Sequence, residues 1–160
     1  MIRVATPNDA AQITAIYNHY IANTVITFEE AELPAAEIAK RIEDVGASYP
    51  WLVYERDGAI LGYAYAGRFA VRSAYQFSAE TTVYVAPESR RGGIGTALYR
   101  ELLDRLRAGL LHCALGLIAL PNEASVRLHE RCGFVKVGEL AQVGRKFDRW
   151  IDVGYWQLHL

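Results

Sequence analysis

Long apolar runs, a cysteine framework and an excess of charge of one sign are all missing from this sequence of 160 residues. The longest apolar run, residues 110–120, contains His112 and is far shorter than the roughly 20 residues that a membrane-spanning helix needs. Residues 1–11 include several polar and charged side chains and have no apolar region typical of a signal peptide. We therefore expect a cytoplasmic protein with no membrane partner.

Charge and cysteine usage exclude two further classes of protein. The formal net charge is −1, and the basic residues lie scattered among acidic ones, so the basic stripe of a nucleic-acid-binding protein is absent. Cys113 and Cys132 are the only two cysteines, and neither lies near a second pair of metal-type ligands in the sequence. We expect reduced, buried thiols, no disulfide framework and no metal site.

The length suits one ordinary domain, and 52% hydrophobic residues are enough for one continuous core. The clearest local pattern is a hairpin, with strands at 51–56 and 60–66 joined by Asp57-Gly58, a pair that tolerates the positive φ of tight turns. Further strands are expected at 2–4, 81–85, 113–119, 134–140 and 150–160. Helices are expected after Thr6, near Pro34, from Gly92 to Gly109 and at 122–132. Strands and helices thus alternate, which predicts one α/β (α+β) domain over residues 1–160.

Residues 67–79 show no sustained period and carry Arg68, Arg72 and Tyr75. They are expected to form a loop beside a functional site.

The strongest local signal for chemistry is a glycine turn between the strand at 81–85 and an amphipathic helix. Its sequence is Arg90-Arg91-Gly92-Gly93-Ile94-Gly95-Thr96. Glycines let backbone NH groups close on an anion, and the helix N-terminus adds free donors and the positive end of its dipole, so a phosphate fits here. An ordinary glycine turn with exposed arginines is the alternative. The Gly-Lys-Ser/Thr of a P-loop and the third glycine of the dinucleotide fingerprint are both missing.

The pattern Arg90-x-x-Gly93-x-Gly95 resembles the pyrophosphate loop of the GNAT superfamily of N-acetyltransferases, which binds coenzyme A. Asn122, His129 and Gly133-Phe134 are similar to that superfamily's asparagine, general acid and helix end. The chain as a whole is identified as a member of the phosphinothricin acetyltransferase branch, related to methionine sulfoximine and methionine sulfone acetyltransferases. The segments that carry this likeness are Asn18-His19-Tyr20-Ile21, Tyr49-Pro50-Trp51-Leu52-Val53, Arg72-x-x-Tyr75, Ala79-Glu80, Val83-Tyr84-Val85, Leu120-Pro121-Asn122, Ser125-Val126-Arg127-Leu128-His129-Glu130 and Asp152-Val153-Gly154-Tyr155-Trp156.

The resemblance implies a GNAT-type mixed central β-sheet flanked by helices, with acetyl-CoA as co-substrate. Pantetheine is expected to lie along residues 83–85 like an added strand. The implied cofactor-binding residues are Val83, Tyr84, Val85, Arg90, Arg91, Gly92, Gly93, Ile94, Gly95, Thr96 and Asn122.

The resemblance also implies two catalytic residues. An α-amino group is mostly protonated at neutral pH, and only the neutral amine attacks a thioester, so a base is needed. Glu80 is the implied base, directly or through a water, and the NH of Val85 the implied donor to the oxyanion. His129 is the implied acid for the departing thiolate. A surface glutamate and a satisfied core histidine are the structural alternatives.

The implied substrate is a small amino-acid-like zwitterion, acetylated on its α-amino group. Arg72 can form a bidentate pair with its carboxylate or phosphinate, Tyr75 can add a hydroxyl, and Phe28 can pack on the aliphatic part. The predicted substrate-binding residues are Phe28, Arg72, Ser73, Ala74, Tyr75 and Glu80. A solvated loop arginine and core aromatics are the alternatives.

Other functions remain open from the sequence. A different amine, such as a protein N-terminus or a polyamine, is one alternative, and a regulatory module that binds acetyl-CoA without turnover is another. The resemblance implies a homodimer. The aromatic residues of the last strand, Trp150, Tyr155 and Trp156, could bury its interface or belong to the core.

Overall fold

The computed structural model describes residues 1–90 and 92–160; Arg91, one of the predicted phosphate-binding residues, lies outside them. Within these ranges the chain forms seven strands and four α-helices. In chain order these are β1 (Ile2–Val4), α1 (Ala10–Asn23), α2 (Ala35–Gly46), β2 (Trp51–Arg56), β3 (Ala59–Arg68), β4 (Ser78–Val85), α3 (Ile94–Ala108), β5 (Cys113–Leu120), α4 (Glu123–Arg131), β6 (Val135–Lys146) and β7 (Arg149–His159). Short 3-10 turns occur at Pro7–Asp9, Ser73–Tyr75 and Pro87–Ser89.

All seven strands belong to one sheet, in the order β1-β2-β3-β4-β5-β7-β6. Neighbouring strands are antiparallel except β4 and β5, which are parallel. A parallel pair needs a crossover connection, and α3 lies within it. The predicted α/β fold with a mixed central sheet flanked by helices is confirmed.

Helices cover the sheet on both faces because the strand side chains alternate between two cores. Leu52 packs in one core with Leu98 of α3. Its neighbours Trp51 and Val53 pack in the other core with Ile13 of α1 and with α2. The two cores fix the position of β4, the central strand, between helices on opposite faces.

The β2–β3 hairpin has the predicted turn. Asp57 and Gly58 have φ of 51° and 78°, and the flanking residues Arg56 and Ala59 are paired. On α3, the expected inward face is also observed, because Leu98, Leu102 and Leu106 are all buried. The helix ends at its C-cap residue Gly109, as expected.

The last hairpin differs from the sequence prediction. The strand expected at 134–140 begins at Val135 and continues to Lys146, with irregular pairing to β7 between Leu140 and Gly144. Of the aromatic residues in β7, Trp156 is a core residue, Tyr155 is half-buried, and only Trp150 is exposed, at 62%. Trp156 is therefore not available to an interface.

Two further observations concern membranes and thiols. No helix within residues 1–90 and 92–160 is both long and apolar enough to cross a membrane. Cys113 and Cys132 are free thiols; Cys113 is buried and Cys132 is half-buried.

Candidate active site

The two parallel strands separate after a short paired stretch. Ser78–Glu80 of β4 pairs with Cys113–Leu115 of β5, and no pairing between these strands is seen beyond it in the described part of the chain. β4 stays paired with β3 on its other side as far as Val85. The carbonyl of Val85 accepts from the Tyr20 hydroxyl. The other backbone groups of Val83–Val85 that face β5 have no strand partner among the described residues, so they can pair with an extended ligand, as the resemblance implied.

A cavity of ≈ 440 Å³ lies in this gap. One wall is formed by β4 from Glu80 to Tyr84, and the opposite wall by Leu117–Ala119 of β5. Asn122, Ser125 and His129, at and after the start of α4, line it as well. The cavity thus joins the predicted catalytic residues Glu80 and His129 in one site.

The Glu80 carboxylate is the acidic group of this cavity. No side-chain hydrogen bond or ion pair to it is found within residues 1–90 and 92–160. Burial raises the pKa of Glu80 above its ordinary value. A carboxylate with a raised pKa accepts a proton more readily at neutral pH than a free glutamate does, which is the property required of a base.

His129 is 4% exposed, and both of its ring nitrogens have partners. Nδ1 lies 2.8 Å from the carbonyl oxygen of Ser125, and Nε2 lies 2.8 Å from the hydroxyl of Tyr99. Because a carbonyl can only accept, Nδ1 carries a hydrogen, so Nε2 of the neutral ring accepts from Tyr99. Burial lowers the pKa of His129, while the Ser125 carbonyl opposes that shift.

The Tyr99 hydroxyl connects His129 to the central strand. It lies 2.7 Å from Oγ1 of Thr81, which in turn donates to the carbonyl of Leu115 at 3.0 Å. Gly116 makes room for the imidazole, because a Cβ at this position would lie 2.3 Å from His129 Nε2. These contacts fix the ring between α3, α4 and the two separating strands.

The predicted glycine turn lies at the open end of the gap. Gly93 has φ of +71°, a left-handed conformation that favours glycine, and it is the N-cap of α3. The guanidinium of Arg90 lies 5.3 Å from the ring centre of Tyr20, whose hydroxyl donates to the carbonyl of Val85 at 2.6 Å. The chain thus passes from Val85, at the end of the strand edge that faces the cavity, through the 3-10 turn Pro87–Ser89 to the free NH groups at the start of α3.

These features fit acetyl-CoA as a substrate. The unpaired edge of β4 can bind the amides of an extended pantetheine, and the start of α3 with Arg90 can bind a pyrophosphate. Asn122 is the N-cap of α4, with Oδ1 accepting from the NH of Ser125 at 3.2 Å, and it also lines the cavity. Among the residues that the structure describes, no group of three or more His, Cys, Asp or Glu side chains is arranged to hold a metal ion.

The part of the cavity away from the glycine turn is mainly apolar and aromatic. Phe28 lies there, but most of the wall comes from residues that the sequence analysis did not assign to the site. They include Tyr17, Thr27, Tyr65, Thr82, Leu140, Val143, Val153 and Tyr155. None of the described lining residues is a lysine or an arginine.

The predicted substrate-binding turn lies elsewhere. Arg72, Ser73, Ala74 and Tyr75 are exposed and are not among the described lining residues of the cavity. Tyr75 packs edge-on against Phe69, with ring centres 5.7 Å apart. The structure therefore brings together Phe28, Glu80 and His129, and it leaves the 72–75 turn outside the cavity wall.

Comparison with known proteins identifies the fold and the chemistry. Residues 2–154 match the family described as acetyltransferase (GNAT) domain. The chain belongs to the GNAT acetyltransferase family.

Three relatives illustrate the branches of the GNAT family to which this chain is similar. A phosphinothricin N-acetyltransferase of Streptomyces viridochromogenes is 40% identical over 156 residues, covering 98% of this chain and 85% of that protein. An L-methionine sulfoximine/L-methionine sulfone acetyltransferase of Salmonella typhimurium is 34% identical over 160 residues, covering 99% of this chain and 94% of that protein. The crystal structure of a GNAT superfamily phosphinothricin acetyltransferase from Sinorhizobium meliloti in complex with AcCoA has a TM-score of 0.95 and 37% identity, covering 100% of this chain and 88% of that chain.

This GNAT protein is accordingly an acetyl-CoA-dependent N-acetyltransferase of the phosphinothricin acetyltransferase type. The predicted family, enzyme class and co-substrate are confirmed.

Proposed function

We propose that this enzyme transfers the acetyl group of acetyl-CoA directly to the α-amino group of a small amino-acid-like substrate of the phosphinothricin type. The observation that carries the proposal is the Glu80 carboxylate, which lines the cleft between the separating strands and has a pKa raised by burial. The similarity to phosphinothricin N-acetyltransferases supports the same substrate class.

In this mechanism Glu80 takes a proton from the ammonium group, directly or through a water, and the neutral amine attacks the thioester carbon. The carbonyl oxygen becomes an oxyanion, to which the NH of Val85 is the proposed donor. When the tetrahedral intermediate collapses, the C–S bond breaks and the nitrogen loses its remaining extra proton to solvent water. The products are the N-acetylated substrate and coenzyme A.

The leaving thiolate needs a proton, and His129 is the proposed donor. Its Nε2 is hydrogen-bonded to the Tyr99 hydroxyl at 2.8 Å. To donate a proton to the thiolate, Nε2 has to exchange this hydrogen bond for one to the sulfur. When Nε2 is protonated, it donates to the Tyr99 hydroxyl, Tyr99 donates to the Thr81 hydroxyl, and Thr81 donates to the carbonyl of Leu115. Every group in this series of hydrogen bonds then has a partner. The charged form of the ring is thereby stabilised against the desolvation that lowers its pKa.

None of the described residues that line the cavity is a lysine or an arginine, so a cationic partner for the substrate's acidic group has to come from outside that wall. We propose that Arg72 binds the carboxylate or phosphinate, with Tyr75 beside it. Both lie on the turn that leads from β3 into the strand that carries Glu80. Phe28 is the proposed contact for the aliphatic part of the substrate.

Methionine sulfoximine or methionine sulfone is the second candidate substrate. The similarity to the Salmonella typhimurium acetyltransferase favours it. So does the apolar wall of Phe28, Leu140 and Val143 in the part of the cavity away from the glycine turn, which is the proposed binding place of the amine and is called the amine side below.

We also propose a homodimer and a cytoplasmic location. The dimer is supported by exposed apolar side chains on the last hairpin, among them Val137, Phe147 and Trp150. The two free thiols, Cys113 and Cys132, suit a reducing compartment.

The proposed function is tested by measuring free thiol release from acetyl-CoA with phosphinothricin, methionine sulfoximine, methionine sulfone, ordinary amino acids, an N-terminal peptide and a polyamine. We expect turnover of an amino-acid-like acceptor and a loss of kcat of roughly 10²-fold to 10⁴-fold in Glu80→Gln.

His129→Phe should lower kcat by a similar order, while Arg72→Ala should raise the KM for the amine. Glu43→Gln, an exposed glutamate on α2, is the matched control and should keep full activity.

Full kcat in Glu80→Gln would rule out the proposed base. Tight binding of acetyl-CoA by calorimetry without turnover of any acceptor would instead indicate a binding module. An unchanged KM in Arg72→Ala would remove that residue from substrate recognition, and full kcat in His129→Phe would leave it a core histidine.

A further inference from the structure

Lys146, near the end of β6, is a charged residue that the catalytic mechanism does not use. It is only 2% exposed, although lysine ammonium groups are rarely buried without a partner. None of the ion pairs within the described part of the chain includes it. Its Nζ instead donates to the carbonyls of Ile21 at 2.8 Å and Thr27 at 2.9 Å.

The first of these carbonyls belongs to the last turn of α1. Ile21 is one of the last four residues of a helix that ends at Asn23, so no backbone NH within the helix donates to its carbonyl. The carbonyl before it, of Tyr20, is taken by the NH of Thr24. A cation at this end of α1 also interacts favourably with the helix dipole. Lys146 therefore fixes the point at which the chain leaves α1.

The second carbonyl lies in the cavity wall. Thr27 and the adjacent Phe28 both line the cavity, and the Thr27 hydroxyl lies 2.9 Å from the hydroxyl of Tyr17, another lining residue. The ammonium of Lys146 therefore holds the backbone of a segment whose side chains face the amine side of the site.

The same strand that carries Lys146 supplies the opposite part of this wall. Pairing of β6 with β7 passes from Leu140↔Val153 to Gly144↔Ile151, so β6 has extra residues that bulge out of the ladder. Leu140 and Val143, at the two ends of this bulge, line the cavity.

The two parts of the wall touch at Gly144. A Cβ on this glycine would lie 2.3 Å from the ring of Phe28, so the aromatic ring packs directly on the backbone of β6. Only a glycine permits that approach. Phe28 takes this position when residues 24–28 lie against β6. Lys146 holds this segment through one hydrogen bond to Thr27 within it and one to Ile21 in the helix turn just before it.

We infer that Lys146 is a positioning residue for the amine subsite, which joins residues 24–28 to β6 and so keeps Phe28, Leu140 and Val143 in one wall. This inference rests on the proposed function for the identity of the subsite. A methionine would fill nearly the same space without an ammonium to desolvate, so the charged group is not needed merely to fill the core. The Lys146 ammonium instead contributes two hydrogen bonds of fixed direction, to the carbonyls of Ile21 and Thr27.

The test compares Lys146→Met with Lys136→Met, an exposed lysine on the same strand. We expect Lys146→Met to raise the KM for the amine by roughly 10-fold, with the KM for acetyl-CoA changed less than about twofold, because only the amine wall is loosened. Amide hydrogen exchange at residues 25–28 should accelerate in Lys146→Met, while exchange in α3 should not. Lys136→Met should resemble the wild type in all three measurements.

Gly144→Ala probes the same wall without touching the lysine, and it covers the case in which Lys146→Met does not fold. Its Cβ must displace Phe28, so it should raise the KM for the amine, and adding Gly144→Ala to a Phe28→Ala enzyme should have little further effect. Equal increases in both KM values, or additive effects of Gly144→Ala and Phe28→Ala, would overturn the inference. So would a lower Tm for Lys146→Met with no change in the amine KM or in exchange at residues 25–28.

The hydrogen-exchange result does not depend on turnover. A wild-type enzyme that acetylates none of the tested amines would contradict the proposed function, whereas unchanged exchange at residues 25–28 in Lys146→Met would contradict the role of Lys146.

Discussion

At the scale of single residues, Glu80 lines the cavity, and its carboxylate has no side-chain hydrogen bond or ion pair among the described residues. Burial raises the pKa of this carboxylate. A group whose pKa is raised in the folded state stabilises the fold below its unfolded pKa, and that contribution is lost as the pH rises through its folded pKa. The ionised form that serves as a base is therefore the form that the fold tolerates least.

Because the ionised carboxylate serves catalysis but destabilises the fold, Glu80→Gln should have a lower kcat but be more stable than the wild type at high pH. Thermal unfolding followed by circular dichroism should give a Tm for Glu80→Gln above that of the wild type at pH 8, and the difference should shrink toward pH 4, where the wild-type carboxyl is protonated. In the active enzyme, kcat/KM should fall with decreasing pH at a higher pH than an ordinary glutamate would give. A Tm difference that is constant between pH 4 and pH 8 would contradict this account of Glu80.

The sequence singled out the polar residues that line the cavity better than the apolar and aromatic ones. Glu80, His129 and Asn122 follow from a motif, because each lies next to a strand or helix end that the local pattern predicts. Tyr17 and Tyr65 line the same cavity from α1 and β3, and nothing local distinguishes them from other core aromatics. Their placement depends on how distant elements pack, which spacing along the chain does not encode.

At the scale of elements, the helix that follows β5 depends on Asn122 in two ways. Its side chain caps α4 by accepting from the NH of Ser125, and it also lines the cleft. Asn122→Ala should lower stability by about 1 kcal/mol, the usual cost of losing an N-cap, and should weaken acetyl-CoA binding. Asn122→Ser should restore the Tm, because serine is also a good N-cap.

The two variants separate the cap from the cofactor contact. If the amide binds acetyl-CoA, as the resemblance implies, calorimetry should give a weaker Kd for Asn122→Ser even though its Tm matches the wild type. A wild-type Kd in Asn122→Ser would limit Asn122 to capping α4.

Elements with strong turn signals were predicted well, and irregular ones were not. The β2–β3 hairpin follows from Asp57-Gly58, and the start of α3 from its glycines. The prediction ended β6 too early, because Gln142 and Gly144 interrupt its apolar alternation. In the structure Gln142 has φ of 51°, and its NH donates to the carboxylate of Asp152 at 2.7 Å. The bulge is thus stabilised by a side chain from the neighbouring strand, which a local pattern does not reveal.

At the scale of the whole molecule, the sheet ends in a hairpin whose outer surface is unusually apolar. β6 is exposed along nearly its whole length and is the edge strand, so its backbone groups on one side have no strand partner within the described residues. Val135, Val137, Phe147 and Trp150 are exposed on this hairpin, together with the cavity residues Leu140 and Val143. A partner that covered this surface would also close the amine side of the cavity.

We therefore expect size-exclusion chromatography with light scattering to give twice the mass of the chain. Val137→Glu combined with Trp150→Glu should yield a monomer, because two charges would be buried in an apolar contact, and its KM for the amine should rise. Val4→Glu, an exposed valine on β1 at the opposite edge of the sheet, is the matched control and should leave the mass unchanged. A wild-type mass equal to one chain would refute the dimer, and an unaltered mass in the double variant would place the interface elsewhere.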